Sequence, residues 1–360
     1  MRRETSYTSV PSAAPARGSD AAQRIPANAD LPAGLPADTG AERDQMRLVT
    51  RVAWLYHVRG LKQSEVADSL GLSQSRVSRL LDAAVGLGIV RTTVRVPPGL
   101  QLELERALEE TYGLREARVF DVPDPDDDRR LLHDLGLMLA GYLQESPLEG
   151  DVIGFTSWSR TLRETVQALN APAGAHASYV VEMLGDVGPP LAQHEAAEVT
   201  QQLARVTGAQ PRFLRVPGVV NSPEVRRAIL ENDSYARETL GLLDRIDEAL
   251  VGIGTCSIDP PLRPGGNFFT YAHFEHALEL GAVGQVNLRF IDRDGNAISS
   301  ELDDLVIGVS LDQLRACERT IAVGGGRSKQ AAIRGALVGG WVNTLVTDVA
   351  TAQQLLDGAS

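Results

Sequence analysis

The chain has 360 residues, of which 43% are hydrophobic and 5% aromatic, with a formal net charge of −12. That is enough apolar content for one small and one large domain, and no apolar run is long enough to span a bilayer, which argues against a helical membrane protein and a membrane partner. Only two cysteines occur, Cys256 and Cys317. They lie far apart and outside any zinc-ligand spacing, which points to reduced thiols in a cytoplasmic protein with no metal and no cofactor.

In chain order, residues 1–43 are rich in alanine, proline and polar residues without an apolar stretch, and are expected to be a disordered leader. From Asp44 to Arg59, Leu48, Val52, Leu55, Tyr56 and Val58 make the apolar side of a supporting helix. The next segment, LKQSEVADSLGLSQSRVSRLLDAAVGLGIV, places Val66, Ala67 and Leu70 on one face of a short helix, with Gly71 in a tight turn and Leu72 plugging the corner. Ser73 stands where a side chain caps the following helix, whose core stripe is Val77, Leu80, Leu81 and Ala84. That stripe leaves Gln74, Ser75, Arg76, Ser78 and Arg79 facing outward. Arginine pairs with guanine in the major groove, glutamine with adenine, and serine reaches bases or phosphates, so these five are the candidate DNA-binding residues.

The stretch GIVRTTVRV reads as a strand-like wing carrying Arg91 and Arg95, which makes residues 44–97 a winged helix-turn-helix. Between Ala41 and Val96, nine basic residues stand against five acidic ones in an otherwise acidic chain. Affinity for double-stranded operator DNA is therefore expected to concentrate in this amino-terminal module.

Residues 98–116, containing LQLELERALEETYGL, carry leucines at helical intervals and are expected to form a linker helix. From residue 117 to 360, short apolar segments alternate with amphipathic ones: ARVFDV, DVIGF, SYVVEML, RFLRV, EALVGIG, VNLRFID, TIAVGG and VNTLVTD. Such alternation implies an α/β fold with crossover helices, a Rossmann-like arrangement that binds ligands beyond the carboxyl ends of its strands.

Three loops after these segments carry suggestive residues. In DVIGFTSWSRTLRETV, Gly154 is expected to leave the strand, while Thr156, Ser157, Ser159 and Thr161 gather where a helix begins, a place suited to a phosphate. In GGGRSKQAAIRGAL, Gly324, Gly325 and Gly326 open a loop completed by Ser328 and Lys329. The chain otherwise relies on arginine, with lysine only at Lys62 and Lys329. The third loop, LVGIGTCSIDPPL, offers Gly254 and Thr255. Together they converge on a small anionic ligand.

Across nearly all residues after the leader, the chain resembles the SorC family of bacterial sugar-responsive transcription regulators. The resemblance rests on RVAWLYHVRGLKQSEVADSLGLSQSRVSRLLDAAVGLGIV, VIGFTSWSRTL, LVGIGT, GAVGQVNLRFID and GGGRSKQAAIRGALVGGWVNTLVTDVATAQQLL. It implies an effector domain of phosphosugar-isomerase type, a sugar, polyol or sugar-phosphate effector held by the three loops, and a homo-tetramer or paired dimers on DNA. The chain departs from the family at Gln285, where many relatives carry an acidic residue, so a carboxylate contact to a sugar hydroxyl becomes an amide contact. Ser159 likewise stands where glycine is frequent.

The alternative is a sugar-phosphate isomerase or deaminase-like enzyme. Deaminases of similar fold place an aspartate, a glycine and a histidine after the Gly-Ile-Gly stretch, whereas this chain has Cys256, Ser257 and Ile258, with no general base. Asp259 lies one residue further on, and His273, Glu275 and His276 are expected to form a solvated helical face. No catalytic residue is assigned.

Overall fold

The computed structural model describes residues 40–91, 99–170, 176–258, 262 and 266–358. The chain divides at residues 95–96 into two compact units. The expected leader lies largely outside the described residues, and so does the wing beyond Arg91.

The smaller unit is built from α1 (Gly40–Ala53), a wider turn at Trp54–Val58, α2 (Gln63–Leu70) and α3 (Gln74–Gly86). Its core is Val49, Val52, Ala53, Val66, Ala67, Val77, Leu81 and Ala84, the helical stripes meeting at the centre. Val58 is not part of it: the wider turn carries this side chain outward, 68% exposed. The amide of Lys62 donates to the Glu65 carboxylate at 2.7 Å and starts α2. Gly71, at φ 66°, ends it in a left-handed conformation that a side chain would strain. Leu72 then donates its N–H to the Ala67 carbonyl at 2.9 Å, closing the corner. Ser73 occupies the capping position of α3, but its hydroxyl meets the Ser75 hydroxyl at 3.2 Å and caps no backbone amide. The expected side-chain cap is therefore corrected: two adjacent hydroxyls satisfy one another at an exposed helix start.

The larger unit runs α4 (Leu102–Tyr112), β1 (Glu116–Phe120), α5 (Asp128–Glu145), β2 (Val152–Phe155), α6 (Arg160–Ala168), β3 (Tyr179–Glu182), α7 (Pro190–Thr207) and β4 (Gln210–Arg212). It continues with α8 (Pro223–Asn232), α9 (Ser234–Leu243), β5 (Glu248–Gly254), α10 (Tyr271–Glu279), β6 (Ala282–Val286) and β7 (Arg289–Asp292). It closes with α11 (Leu311–Ala316), β8 (Arg319–Val323), α12 (Gln330–Val338), β9 (Thr344–Asp348) and α13 (Val349–Asp357). The helix expected to act as a linker, α4, packs on β1 and α13 with Leu108 fully buried, as part of this unit.

Seven strands form a parallel sheet in the order β4-β3-β2-β5-β8-β9-β1. Both faces are covered, so β8 and β9 are buried along their whole length, as continuous apolar strands of a parallel sheet are. One core gathers Leu108, Leu314, Ile333 and Leu355 from α4, α11, α12 and α13; the other gathers Leu135, Leu139, Leu162 and Leu203 from α5, α6 and α7. Each fully buried side chain of this kind contributes roughly 1.5–3 kcal/mol. Beyond the strands' carboxyl ends, Phe268, Phe269, Phe274 and Phe290 form a third, aromatic cluster.

Two expected strands differ. VNLRFID is not continuous: β6 and β7 pair antiparallel through a two-residue turn at Asn287 and Leu288, with φ 48° and 61°. A primed turn of this kind favours glycine, so Asn-Leu gives no turn signal. RFLRV is extended in the sheet only at β4, because the Leu214 amide leaves the ladder and donates to the Glu182 carboxylate at 3.0 Å.

Candidate functional site

From β2 the chain crosses through α6 to β3 on one side, whereas β5 lies on the other side of β2 and is followed in the sheet by β8. A crevice opens where such connections diverge. The Thr156 amide donates to the Leu250 carbonyl at 3.0 Å, fixing the loop after β2 against β5. At its far end β5 outruns the parallel sheet and pairs with β6, placing Gly254 opposite Gln285.

A cavity of about 320 Å³ occupies this crevice. Its walls include Thr156, Ser159 and Thr161 after β2, Gly254 and Thr255 after β5, Gln285 from β6, and Gly325 and Lys329 after β8. Three sequence-distant loops thus meet around one volume. Gly154 and Ser157 are not among the lining residues. Gly154 is inside β2 rather than beyond it, and a side chain there would run into Met183 and Ile246, so its smallness serves packing. Ser157, in the same loop, is buried.

The polar wall is rich in hydrogen-bond donors. The Ser159 hydroxyl caps α6 by accepting the Leu162 amide at 3.4 Å, which leaves its own proton to donate. Lys329 ends a short 3-10 turn and leads into α12, so the amino ends of α6 and α12 both border the cavity. A Cβ at Gly254 would collide with the Gln285 amide, and one at Gly325 with the Asp348 carboxylate. Both glycines are needed for close approach. The Thr156 hydroxyl donates to the Asn287 Oδ1 at 2.9 Å, joining the first loop to the β6–β7 turn.

Several lining residues were not singled out from the sequence. Arg160, at the first turn of α6, adds a second cation. Asp128, Leu131, Leu132 and Leu135 come from α5, and Trp158, Ile258 and Phe268 complete an apolar side. The leucines repeat at helical spacing, which in sequence reads as ordinary core; the signal for Arg160 was its place beside Ser159 at a helix start.

Other candidate chemistry falls away from this cavity. The His273 ring accepts the Thr270 amide at 3.2 Å, and His276 pairs with Glu301 at 2.9 Å, so the histidines serve α10. Burial pushes the Cys256 thiol up to about 11, away from a reactive thiolate. Asp259 lies outside the described residues. Among the described residues no cluster suited to a metal ion occurs, and no helix is long and apolar enough to cross a membrane.

In the smaller unit, Gln74, Ser75, Arg76 and Arg79 are exposed on α3 and Ser78 is half-buried, while Val77 and Leu81 point into the core. Arg79 also donates from Nε to the Ser75 carbonyl at 3.4 Å.

The family model described as "Putative sugar-binding domain" matches residues 96–357, most of the chain. The deoxyribonucleoside regulator of Bacillus subtilis is 33% identical over 320 residues, covering 88% of this chain and 99% of that protein. The sorbitol operon regulator of Klebsiella pneumoniae is 28% identical, covering 87% and 98%. The chain belongs to the SorC family of sugar-binding transcriptional regulators. The solved full-length SorC from Klebsiella pneumoniae superposes with a TM-score of 0.62 at 25% identity, covering 86% of this chain and 98% of SorC. A sugar-binding domain of a regulator from Pseudomonas syringae pv. tomato is 33% identical, with a TM-score of 0.56, covering 71% and 99%. The larger unit is thus the α/β sheet domain of the SorC family, and the cavity lies at its strand ends.

Proposed function

We propose that the chain is a DNA-binding transcriptional regulator whose hold on its operator is controlled by a small sugar, polyol or sugar-phosphate. The observation that carries this is the cavity at the carboxyl ends of β2, β5 and β8, where hydroxyls, two helix starts and two cations converge. A phosphate fits such a place because backbone amides at helix starts and fixed cations stabilise its charge.

The smaller unit is read as a helix-turn-helix with a wing, α3 being the helix that enters the major groove and Gln74, Ser75, Arg76, Ser78 and Arg79 the residues at the DNA. The larger unit is read as a phosphosugar-isomerase-type scaffold used for sensing in the cytoplasm rather than for catalysis, since the loop after β5 supplies Cys256 and Ser257 in place of an acid–base pair. Effector occupancy shifts the packing of subunits in a homo-tetramer or paired dimers, and so the spacing of paired α3 helices on operator half-sites.

Fluorescence anisotropy with operator DNA, titrated with sugar phosphates and free polyols at fixed salt, tests this reading. A change in operator affinity on effector addition supports it. Turnover of a sugar phosphate by the purified chain would replace it with the enzyme.

A further inference from the structure

Asp348, at the end of β9, is fully buried and is not one of the residues lining the cavity. Its Oδ1 accepts the Thr351 amide at 2.9 Å and so caps α13, while its Oδ2 accepts the Thr351 hydroxyl proton at 2.5 Å. Capping alone needs one oxygen: Asp127 and Asp233 serve the starts of α5 and α9 through a single Oδ1 each. The second oxygen of Asp348 has a different consequence. With its one proton committed there, the Thr351 hydroxyl is left to accept, and it takes the Gly326 amide at 2.9 Å. The Gly326 carbonyl in turn accepts the Lys329 amide at 3.1 Å, closing the short turn that ends at Lys329. At the other end of the loop the Gly324 amide donates to the Val346 carbonyl on β9 at 3.1 Å. The loop is thus pinned at both ends, and a Cβ on Gly325 would run into the same Oδ2 of Asp348. Gly324, Gly325, Ser328 and Lys329 of this pinned segment line the cavity.

We infer that Asp348 and Thr351 are positioning residues of the effector site: neither touches the ligand, and together they set the loop that carries Lys329. This rests on the sugar-phosphate reading of the cavity and adds to it two residues from outside the lining. A loop fixed by buried hydrogen bonds is ordered before the ligand arrives, so less ordering remains to oppose binding. The hydroxyl of Thr351 is the deciding group. Valine has nearly the same shape and keeps the backbone amide that caps α13, but it offers Gly326 no acceptor.

The experiment is isothermal titration of the full chain with glucitol 6-phosphate and inorganic phosphate, comparing the parent with Thr351→Val and Thr351→Ser. The expected result is a Kd raised about tenfold in Thr351→Val, the size of one lost hydrogen bond, and restored toward the parent in Thr351→Ser, which keeps the hydroxyl. Asp348→Asn keeps an oxygen for the cap but gives the hydroxyl proton no acceptor, and should weaken binding as Thr351→Val does. A role confined to stability would lower the melting temperature of Thr351→Val and leave its Kd at the parent's value. That outcome overturns the inference and leaves the sugar-phosphate reading standing, whereas a parent that binds neither probe overturns both. Should Thr351→Val fail to fold, amide exchange in the unaltered chain decides: a protected Gly326 amide supports the inference, and one that exchanges freely overturns it.

Discussion

The Glu105 carboxylate on α4 accepts the backbone amide of Val119 at 3.0 Å. Two residues earlier on the same strand, Ala117 donates to Glu109 at 2.9 Å. Val119 belongs to β1, which pairs only with β9 and is an edge of the sheet. Its outward amides would otherwise invite another strand, and two carboxylates at helical spacing cover them. Glu105→Ala leaves the Val119 amide without its acceptor in a buried place, which costs about 1–3 kcal/mol. The expected outcome in a urea melt is a lower midpoint with an unchanged slope; an unchanged midpoint would show that water replaces the carboxylate.

Arg79→Ala is expected to weaken operator binding by about 1–3 kcal/mol if the guanidinium reads a base, and to leave effector binding alone. Measured at matched salt, equal affinity of variant and parent would remove Arg79 from the interface. Its effect should differ between operator sequences, which separates base reading from a phosphate contact.

Much of this arrangement is legible from residue spacing. The stripe of Val77, Leu81 and Ala84 leaves Gln74, Ser75, Arg76 and Arg79 exposed, and the glycine-rich and hydroxyl-rich loops after β2, β5 and β8 meet in one cavity. Local rules sufficed there because each loop is set by its own strand end. What stayed hidden depends on distant partners. The Asn287–Leu288 turn has no glycine and is held by Gln285 from one side and Thr156 from the other. The leucines of α5 face the cavity only because that helix packs beside α6, a relation no local period reveals.

Gly254→Ala tests how tightly the cavity is built. The added methyl collides with the Gln285 amide, whose carbonyl is committed to Leu288. Either the amide or β6 must shift, and overpacking of this kind costs typically about 1–3 kcal/mol. The expected outcome is loss of effector response with operator binding retained, read by anisotropy with and without effector. Lys329→Ala should lower effector affinity with less effect on folding, since Lys329 is only half-buried; an unchanged titration would remove it from the site.

Arg319 and Glu248 open β8 and β5 side by side, 2.9 Å apart and nearly buried. Arg319 also donates to the Ser146 hydroxyl at 2.7 Å and the Pro147 carbonyl at 2.9 Å, holding the end of α5 to the sheet. Burial raises the Glu248 carboxyl above its ordinary range, opposed by the guanidinium. Arg319→Met therefore strands a buried carboxylate and is expected to destabilise the larger unit by about 3–5 kcal/mol near neutral pH. The loss should shrink at lower pH, where Glu248 takes up a proton; thermal melts from pH 7 to pH 5 measure it.

The last prediction concerns the start of α10, where Thr270 and His273 form a reciprocal cap: the Thr270 amide donates to the His273 Nδ1 at 3.2 Å, and the His273 amide donates to the Thr270 hydroxyl at 3.4 Å. Nδ1 accepts only while the ring is neutral, so the remaining proton sits on Nε2. Burial, with the neighbouring His276 adding to it, lowers the His273 pKa below its ordinary value of 6.5. The unfolded chain then binds the proton more readily than the folded one, so this residue's contribution is full above 6.5 and is lost as pH falls through that value toward the lower folded pKa. His273→Gln keeps an acceptor at the third helical position, the usual partner of a capping threonine, without the titration. Comparing melting temperatures of parent and variant between pH 7.5 and pH 5.5 should show the parent falling more steeply, and parallel curves would mean that the ring's protonation does not touch the cap.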